Sequence, residues 1–265
     1  MEIPLIILAN SLITGFAYKR RSLDRSGAVA AWLVGTGIFL LGDGFMWLIL
    51  MSFFLSSSFL TRYTQRYKRS DDISLKENSG RNYIQVLANG GLGLLLALLY
   101  HVTAAEACYL AFAASFAAAN SDTWASEIGV LSKNPPISII SGKPIARGLS
   151  GGVSPLGTVA SLAGAAFIAA IFTLGHVSFY STQQTGWLLF SLITAAGFFG
   201  SLVDSLLGAT VQGKFYSSVH NRIVEKANYF GEKTHHITGL PFINNDLVNI
   251  SSALFAALLV IYIWV

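Results

Sequence analysis

Two aspartates lie at the ends of long apolar stretches of the sequence. Asp122 follows a run of Ala and Phe that ends in Asn120 and Ser121, and Asp204 has Leu202-Val203 before it and Leu206-Leu207 shortly after it. A carboxylate in such a setting is costly and marks a candidate functional site. We expect each to end a helix, where the dipole disfavours negative charge and a cation would offset the cost. A shared Mg²⁺ or a Lys or Arg partner would both serve, and the pattern favours the metal.

Further acidic residues accompany these two at the ends of hydrophobic stretches. Glu127 follows Asp122 closely, and Asp246 opens the last hydrophobic stretch. Asp246 alone could equally cap a helix or interact with its dipole. The predicted metal ligands are therefore Asp122, Glu127, Asp204 and Asp246.

Amides, hydroxyls and a guanidinium accompany the carboxylates. Arg81, Gln85 and Asn89 recur at a spacing that places them on one helix face, although the two amides could instead hydrogen-bond between helices. The predicted substrate- or nucleotide-binding residues are Arg81, Gln85, Asn89, Asn120, Ser121, Ser126, Lys143, Ser150, Gly151, Gly152, Ser205, Gly208, Asn245 and Asn249.

A Gly-rich segment, 148–157, is the second kind of candidate site. Its glycines expose backbone N–H groups, and Pro155 favours a first helical turn, so the segment could cradle a phosphate at a helix N-terminus. Gly and Ser also serve tight helix packing, which is the competing interpretation. Arg147 lies just upstream and is predicted to be catalytic together with Asp122 and Asp204. No P-loop motif is present.

The elements that position these residues are long hydrophobic stretches. Hydrophobic residues make up 53% of the 265 and charged residues 11%, whereas soluble domains carry roughly 25% charged residues. We predict an all-α, polytopic transmembrane helical bundle that forms one domain over 1–265. The predicted spans are 3–18, 27–41, 44–60, 83–100, 104–121, 153–174, 186–203 and 245–264. The Ala-rich fifth and Gly-rich sixth spans should lie inside the bundle, and Cys108 is interpreted as a small core residue.

The basic residues predict the orientation of the bundle. With eight spans, all 17 Lys and Arg residues fall in loops on one side. The positive-inside rule then places that side in the cytoplasm, with both termini outside the plasma membrane. The positive charge is interpreted as attraction to anionic lipid or phosphate, and no nucleic acid is expected.

The polar blocks together carry a resemblance to a known family. The blocks NSDTWASEIG at 120–129, GLSGGVS at 148–154, GSLVDSLLGA at 200–209, NDLVN at 245–249 and QVLAN at 85–89 resemble the integral membrane family called domain of unknown function 92. That family includes transmembrane protein 19 and a plastid phytyl-phosphate kinase.

The resemblance implies a reaction. A prenyl monophosphate would receive a phosphoryl group from CTP or another nucleoside triphosphate at the cytoplasmic face, with Mg²⁺ as cofactor. Membrane lipid, isoprenoid phosphate and the nucleotide are the expected partners. A nucleotidyltransferase that forms a CDP-lipid and a membrane transporter remain as alternatives. The transporter is disfavoured because the polar residues lie at one end of the spans rather than at mid-depth.

Overall fold

Eight helices account for most of residues 2–65, 67, 80–180 and 183–265, which are the residues that the computed structural model describes. The helices are α1 (Glu2–Lys19), α2 (Arg25–Leu41), α3 (Gly44–Gln65), α4 (Tyr83–Thr103), α5 (Glu106–Gly129), α6 (Pro155–Tyr180), α7 (Gln183–Thr210) and α8 (Asn245–Trp264). The predicted all-α membrane bundle is confirmed.

Helix α5 forms the centre of the bundle. Its residues from Tyr109 to Ser121 are all buried, and the helix contacts α3, α4, α6, α7 and α8. Its many Ala residues let other helices approach closely on every side, which favours an interior position in a membrane bundle. The prediction that the Ala-rich fifth stretch lies inside the bundle is therefore correct.

Small residues let the central helices approach closely. A Cβ added to Gly197 of α7 would lie 2.7 Å from the Cβ of Ala117, and one added to Gly200 would lie 2.7 Å from the Cβ of Ala118. Helix association in a bilayer depends on this kind of van der Waals packing, because the surrounding lipid is as apolar as the side chains.

The helices differ in how well they match a bilayer. Five described segments are long and apolar enough to cross a membrane, namely α3, α4, Pro155–His176 of α6, Gly186–Thr210 of α7, and α8. The apolar parts of α1 and α2 are shorter, and α5 carries Glu106, Asp122 and Glu127. The count of eight spans and the positions of the termini stay predictions.

The loops that follow α1, α3, α5 and α7 lie at one end of the bundle, which we call the basic end. The Asp24 backbone N–H donates to the Arg81 carbonyl at 3.0 Å, and the Ser150 N–H donates to Glu225 Oε1 at 2.6 Å, so these loops contact one another in pairs. Every described Lys and Arg lies in these loops or in the adjoining helix ends. The loop residues Arg66, Lys68, Arg69 and Lys76 lie outside the described residues.

Short strands, which the sequence did not predict, give structure to two of these loops. In the loop after α5, β1 (Ile137–Ser138) pairs with β2 (Gly152–Val153). In the loop after α7, β3 (Lys214–Ser217) lies between β4 (Arg222–Val224) and β7 (His235–Thr238) in one small sheet. A second hairpin, β5 (Asn228–Tyr229) with β6 (Glu232–Lys233), completes this region. His235 and His236 are exposed, as expected, but lie in a strand rather than in an irregular loop.

Both central aspartates lie inside helices rather than at their ends, which corrects the expected boundaries. Helix α5 continues from Asp122 to Gly129, and α7 continues from Asp204 to Thr210. The dipole acts mainly within the last turn, so it disfavours these carboxylates less than expected. Burial and mutual repulsion are the stronger reasons for a nearby cation.

Candidate functional site

A cavity of about 270 Å³ lies at the basic end, between α5, α6, α7 and the two structured loops. Both central aspartates line it. The predicted site residues on its wall are Asp122, Ser126, Arg147, Ser150, Gly151, Gly152, Asp204, Ser205 and Asn245. The structure thus brings together residues that are far apart in the sequence. They come from three helices, from Arg147 and from the part of the Gly-rich segment that precedes α6, residues 148–154, which we call the Gly-rich loop.

Asp204 is buried and held by α8. Its Oδ2 accepts a hydrogen bond from Ser252 Oγ at 3.2 Å. With the Asn249 amide oriented so that its nitrogen faces the carboxylate, Asn249 donates to the same oxygen at 3.0 Å. These two neutral donors fix the side chain but do not neutralise its charge.

Asp122 faces Asp204 across the cavity and is partly buried. Their carboxylates are close enough for the two negative charges to repel each other. Among the described residues, no hydrogen bond or salt bridge connects Asp122 to another side chain, and no Lys or Arg pairs with either aspartate. The arrangement leaves carboxylate oxygens available to a ligand or cation that enters the cavity.

The other two predicted metal ligands lie elsewhere. Glu127 accepts a hydrogen bond from the Thr64 hydroxyl and interacts with the Arg81 charge, and neither Glu127 nor Asp246 lines the cavity. Over the described residues there is no group of three or more His, Cys, Asp or Glu side chains that could hold a metal. Two carboxylates still suit Mg²⁺, which usually binds through one or two carboxylates together with substrate phosphates and water.

The Gly-rich loop reaches the cavity because two glycines allow it to pass close to α7. Gly151 has a φ of +85°, and a Cβ on it would lie 2.5 Å from the Cβ of Ala209. A Cβ on Gly208 would lie 2.8 Å from the Cβ of Ser150. Helix α6 then begins at Pro155, as expected, and the Ser154 hydroxyl caps it by accepting from the Gly157 N–H at 3.1 Å.

Arg147 lines the cavity, but the structure also gives its guanidinium a local role. Its Nη1 donates to the Val130 carbonyl at 2.8 Å, and its Nη2 donates to the Lys133 carbonyl at 2.9 Å. The side chain therefore ties the segment before the Gly-rich loop to the end of α5. The guanidinium retains further N–H donors for an anion.

Asn120 and Ser121 cross-link the helices. The buried Asn120 amide donates to the Gly164 carbonyl at 2.8 Å and accepts from Ser56 Oγ at 2.9 Å. The buried Ser121 hydroxyl bonds the carbonyl and the hydroxyl of Ser161. Their polar groups are thus used inside the bundle.

Arg81, Gln85 and Asn89 line a separate small cavity, whose other lining residues are mostly apolar residues of α1–α4. Gln85 is part of a capping box with Asn82 at the start of α4, and Asn89 donates to the Gln85 carbonyl at 2.9 Å. Burial lowers the pKa of Arg81, and the charge of Glu127 opposes that shift. The exposed Lys143 contributes to neither cavity.

The most substantial wall residue that the sequence did not reveal is Glu225, in the loop after α7. Nothing in its sequence surroundings distinguishes it from a solvated loop residue. Other missed wall residues follow helical spacing and could have been found: Ser154, which caps α6, Thr158 and Ser161 on α6, and Ser201 on α7, one turn before Asp204.

The chain matches a known protein family over most of its length. The family described as integral membrane protein DUF92 matches residues 8–257. The chain belongs to this family. It is therefore a multi-pass integral membrane protein, and the resemblance expected from the sequence is confirmed.

Relatives of this DUF92 protein occur in plants and archaea. Protein PGR of Arabidopsis thaliana is 36% identical over 96% of this chain and 93% of its own length. An uncharacterized membrane protein of Methanocaldococcus jannaschii is 32% identical over 74% of this chain and 77% of its own length. Protein VTE6, chloroplastic, of Arabidopsis thaliana is 25% identical over 92% of this chain and 66% of its own length. No solved structure matches the chain.

Proposed function

We propose that the protein is a Mg²⁺-dependent kinase that transfers a phosphoryl group from CTP or another nucleoside triphosphate to a prenyl phosphate at the cytoplasmic membrane face. The observation that carries the proposal is the meeting of Asp122, Asp204 and the Gly-rich loop in one cavity at the basic end. The resemblance to a family that includes a phytyl-phosphate kinase supports the lipid acceptor.

The reaction needs little covalent help from the protein. A phosphate oxygen of the lipid attacks the terminal phosphorus of the nucleotide, and the bond from that phosphorus to its bridging oxygen breaks, which gives prenyl diphosphate and a nucleoside diphosphate. Such a transfer depends mainly on positioning and on neutralising charge. Asp122 and Asp204 would hold Mg²⁺, which would supply that positive charge.

The protein's own groups then have separate tasks. Asn249 and Ser252 hold the Asp204 carboxylate in place. The N–H groups of the Gly-rich loop and the remaining donors of Arg147 would bind phosphate oxygens. An oxygen of the lipid phosphate is already ionised at neutral pH, so the transfer needs no strong general base.

The outer surface beside the cavity suits a lipid acceptor. Thr158 and Ser205 line the cavity, while the adjacent Val159 and Leu206 are exposed on the outside of α6 and α7. A hydrocarbon tail could therefore stay against the apolar face of these helices while its phosphate enters the cavity. The basic residues of the same end would attract the nucleotide.

The direct test incubates the purified full chain in lipid nanodiscs with Mg²⁺, labelled CTP or ATP, and a panel of prenyl and polyprenyl phosphates. We expect label in a lipid diphosphate product and release of the nucleoside diphosphate. Formation of a CDP-lipid with release of pyrophosphate would instead identify a nucleotidyltransferase. Absence of any product, together with solute movement across proteoliposomes, would replace both enzymes with a transporter.

A further inference from the structure

Both oxygens of the Glu225 carboxylate accept hydrogen bonds, from Ser150 of the cavity wall and from the buried Gln212 behind it. The Ser150 backbone N–H donates to Oε1 at 2.6 Å, and the Ser150 hydroxyl donates to Oε2 at 3.0 Å. The Gln212 amide also donates to Oε2, at 2.8 Å. Glu225, from the loop after α7, thus occupies the position beside the Gly-rich loop that a bound anion would take.

The groups around this carboxylate are those that proteins use for phosphate. Lys214 Nζ donates to the Ser150 carbonyl at 3.1 Å, which brings an ammonium group beside the other donors. The Gln212 side chain is only 1% exposed, so its amide is fixed by its surroundings. Backbone N–H, hydroxyl, amide and ammonium donors together can bind several oxygens of one phosphate. We call Ser150, Gln212 and Lys214 the anion cradle.

Electrostatic repulsion opposes the binding of Glu225 to the anion cradle. Its negative charge repels that of Asp204, and both residues line the same cavity together with Asp122. A carboxylate in this position is favoured by the cradle donors and disfavoured by the neighbouring carboxylates. An anion that brings its own cation, as a magnesium-bound phosphate does, would avoid that repulsion.

We propose that the anion cradle is a phosphate subsite and that Glu225 is its internal competitor, which a phosphate group displaces. Because Glu225 directly follows β4 (Arg222–Val224), its release would also remove the two hydrogen bonds by which this segment is attached to Ser150 of the Gly-rich loop. The inference that the physiological ligand is a nucleotide or a lipid phosphate rests on the proposed function. The inference that the cradle binds a simple phosphate does not.

Isothermal titration of the full chain in nanodiscs with inorganic pyrophosphate and Mg²⁺ tests the competition. Glu225→Gln keeps the size of the side chain but replaces charge-assisted hydrogen bonds with weaker neutral ones. We expect pyrophosphate to bind the variant about tenfold more tightly than the natural protein. Asp246→Asn is the matched control, because it removes a carboxylate from the same end that does not line the cavity. It should change the affinity much less.

Ser150→Ala in the Glu225→Gln background should reverse part of the gain, because it removes a cradle donor. Weaker pyrophosphate binding by Glu225→Gln would show that Glu225 positions the loop and does not compete, and would overturn the proposal. An affinity equal to that of Asp246→Asn would also overturn it, since phosphate would then not reach the cradle.

Hydrogen exchange on the natural protein gives an independent measurement that needs no variant. Pyrophosphate should speed hydrogen exchange in peptides covering 222–230, because release of Glu225 removes the hydrogen bonds that attach this segment to Ser150. Unchanged or slower exchange there would contradict displacement. If no prenyl phosphate is turned over but both binding results hold, the subsite stands and the proposed reaction fails.

Discussion

Replacing Asp204 with Asn removes the charge of the side chain but keeps its shape, so it tests what the charge contributes to catalysis. Asn retains an oxygen that can accept from Ser252 and Asn249, so the hydrogen bonds that fix the side chain should remain. The charge that would bind Mg²⁺ is lost. Loss of metal-mediated stabilisation typically costs several kcal/mol of activation free energy, which corresponds to a rate at least about a hundredfold lower.

The same substitution should have the opposite effect on the metal-free fold. Asp204 is 6% exposed, and its charge repels those of Asp122 and Glu225. At an effective dielectric constant of about 20, two unit charges repel by about 4 kcal/mol at a separation of about 4 Å and by about half as much at twice that separation. We therefore expect Asp204→Asn without Mg²⁺ to be as stable as the natural protein or more stable by up to about 2 kcal/mol.

Two assays on the same preparations check this pair of effects. Turnover of labelled nucleotide and prenyl phosphate gives the rate, and thermal unfolding in detergent with and without Mg²⁺ gives the stability. Mg²⁺ should raise the unfolding midpoint of the natural protein and of Asp246→Asn, but not that of Asp204→Asn. A well-folded Asp204→Asn protein with the natural rate, or with the natural response to Mg²⁺, would refute the assignment of this carboxylate.

Three further predictions follow from the surroundings of the site. Gly151→Ala should lower turnover at least about tenfold while leaving the helices intact, because the added Cβ would collide with the Ala209 backbone. Gly142 also has a positive φ but has open space around it, so Gly142→Ala is the control. Activity assays and circular dichroism compare the two variants. Asn120→Ala should destabilise the bundle by about 1–2 kcal/mol in unfolding measurements, since it removes hydrogen bonds to α3 and α6, and unchanged stability would mean that these bonds contribute nothing. Hydrogen bonds, chiefly from the Ser217 hydroxyl, lower the pKa of Glu232 below its ordinary value of 4.5, so the stabilisation is complete above that pH and is lost as the pH falls through the lower folded value. The protection of 214–238 from hydrogen exchange, measured relative to the unfolded chain at each pH, should fall in that acidic window, and unchanged protection would contradict the prediction.

Local patterns in the sequence were sufficient for the helices and for the general location of the chemistry. The long apolar stretches predict the helices, and the Ala-rich stretch predicts the buried centre, because both depend on side chains that are neighbours along the chain. The family motifs could also be recognised without coordinates. The exact helix ends could not, since α5 and α7 continue past their aspartates under packing forces that neither stretch contains.

The tertiary structure alone decided which polar residues share a cavity. By sequence, Arg81 and Glu127 belong with Asp122, since all lie at the same end of the helices. In the structure, Arg81 lines a different cavity and Glu127 bonds Thr64, while Glu225 reaches the Gly-rich loop from 75 residues away. The direction in which a side chain points depends on the rotation of each helix against neighbours that are distant in the chain. That rotation is set by the fit of small residues between helices, such as Gly197 against Ala117.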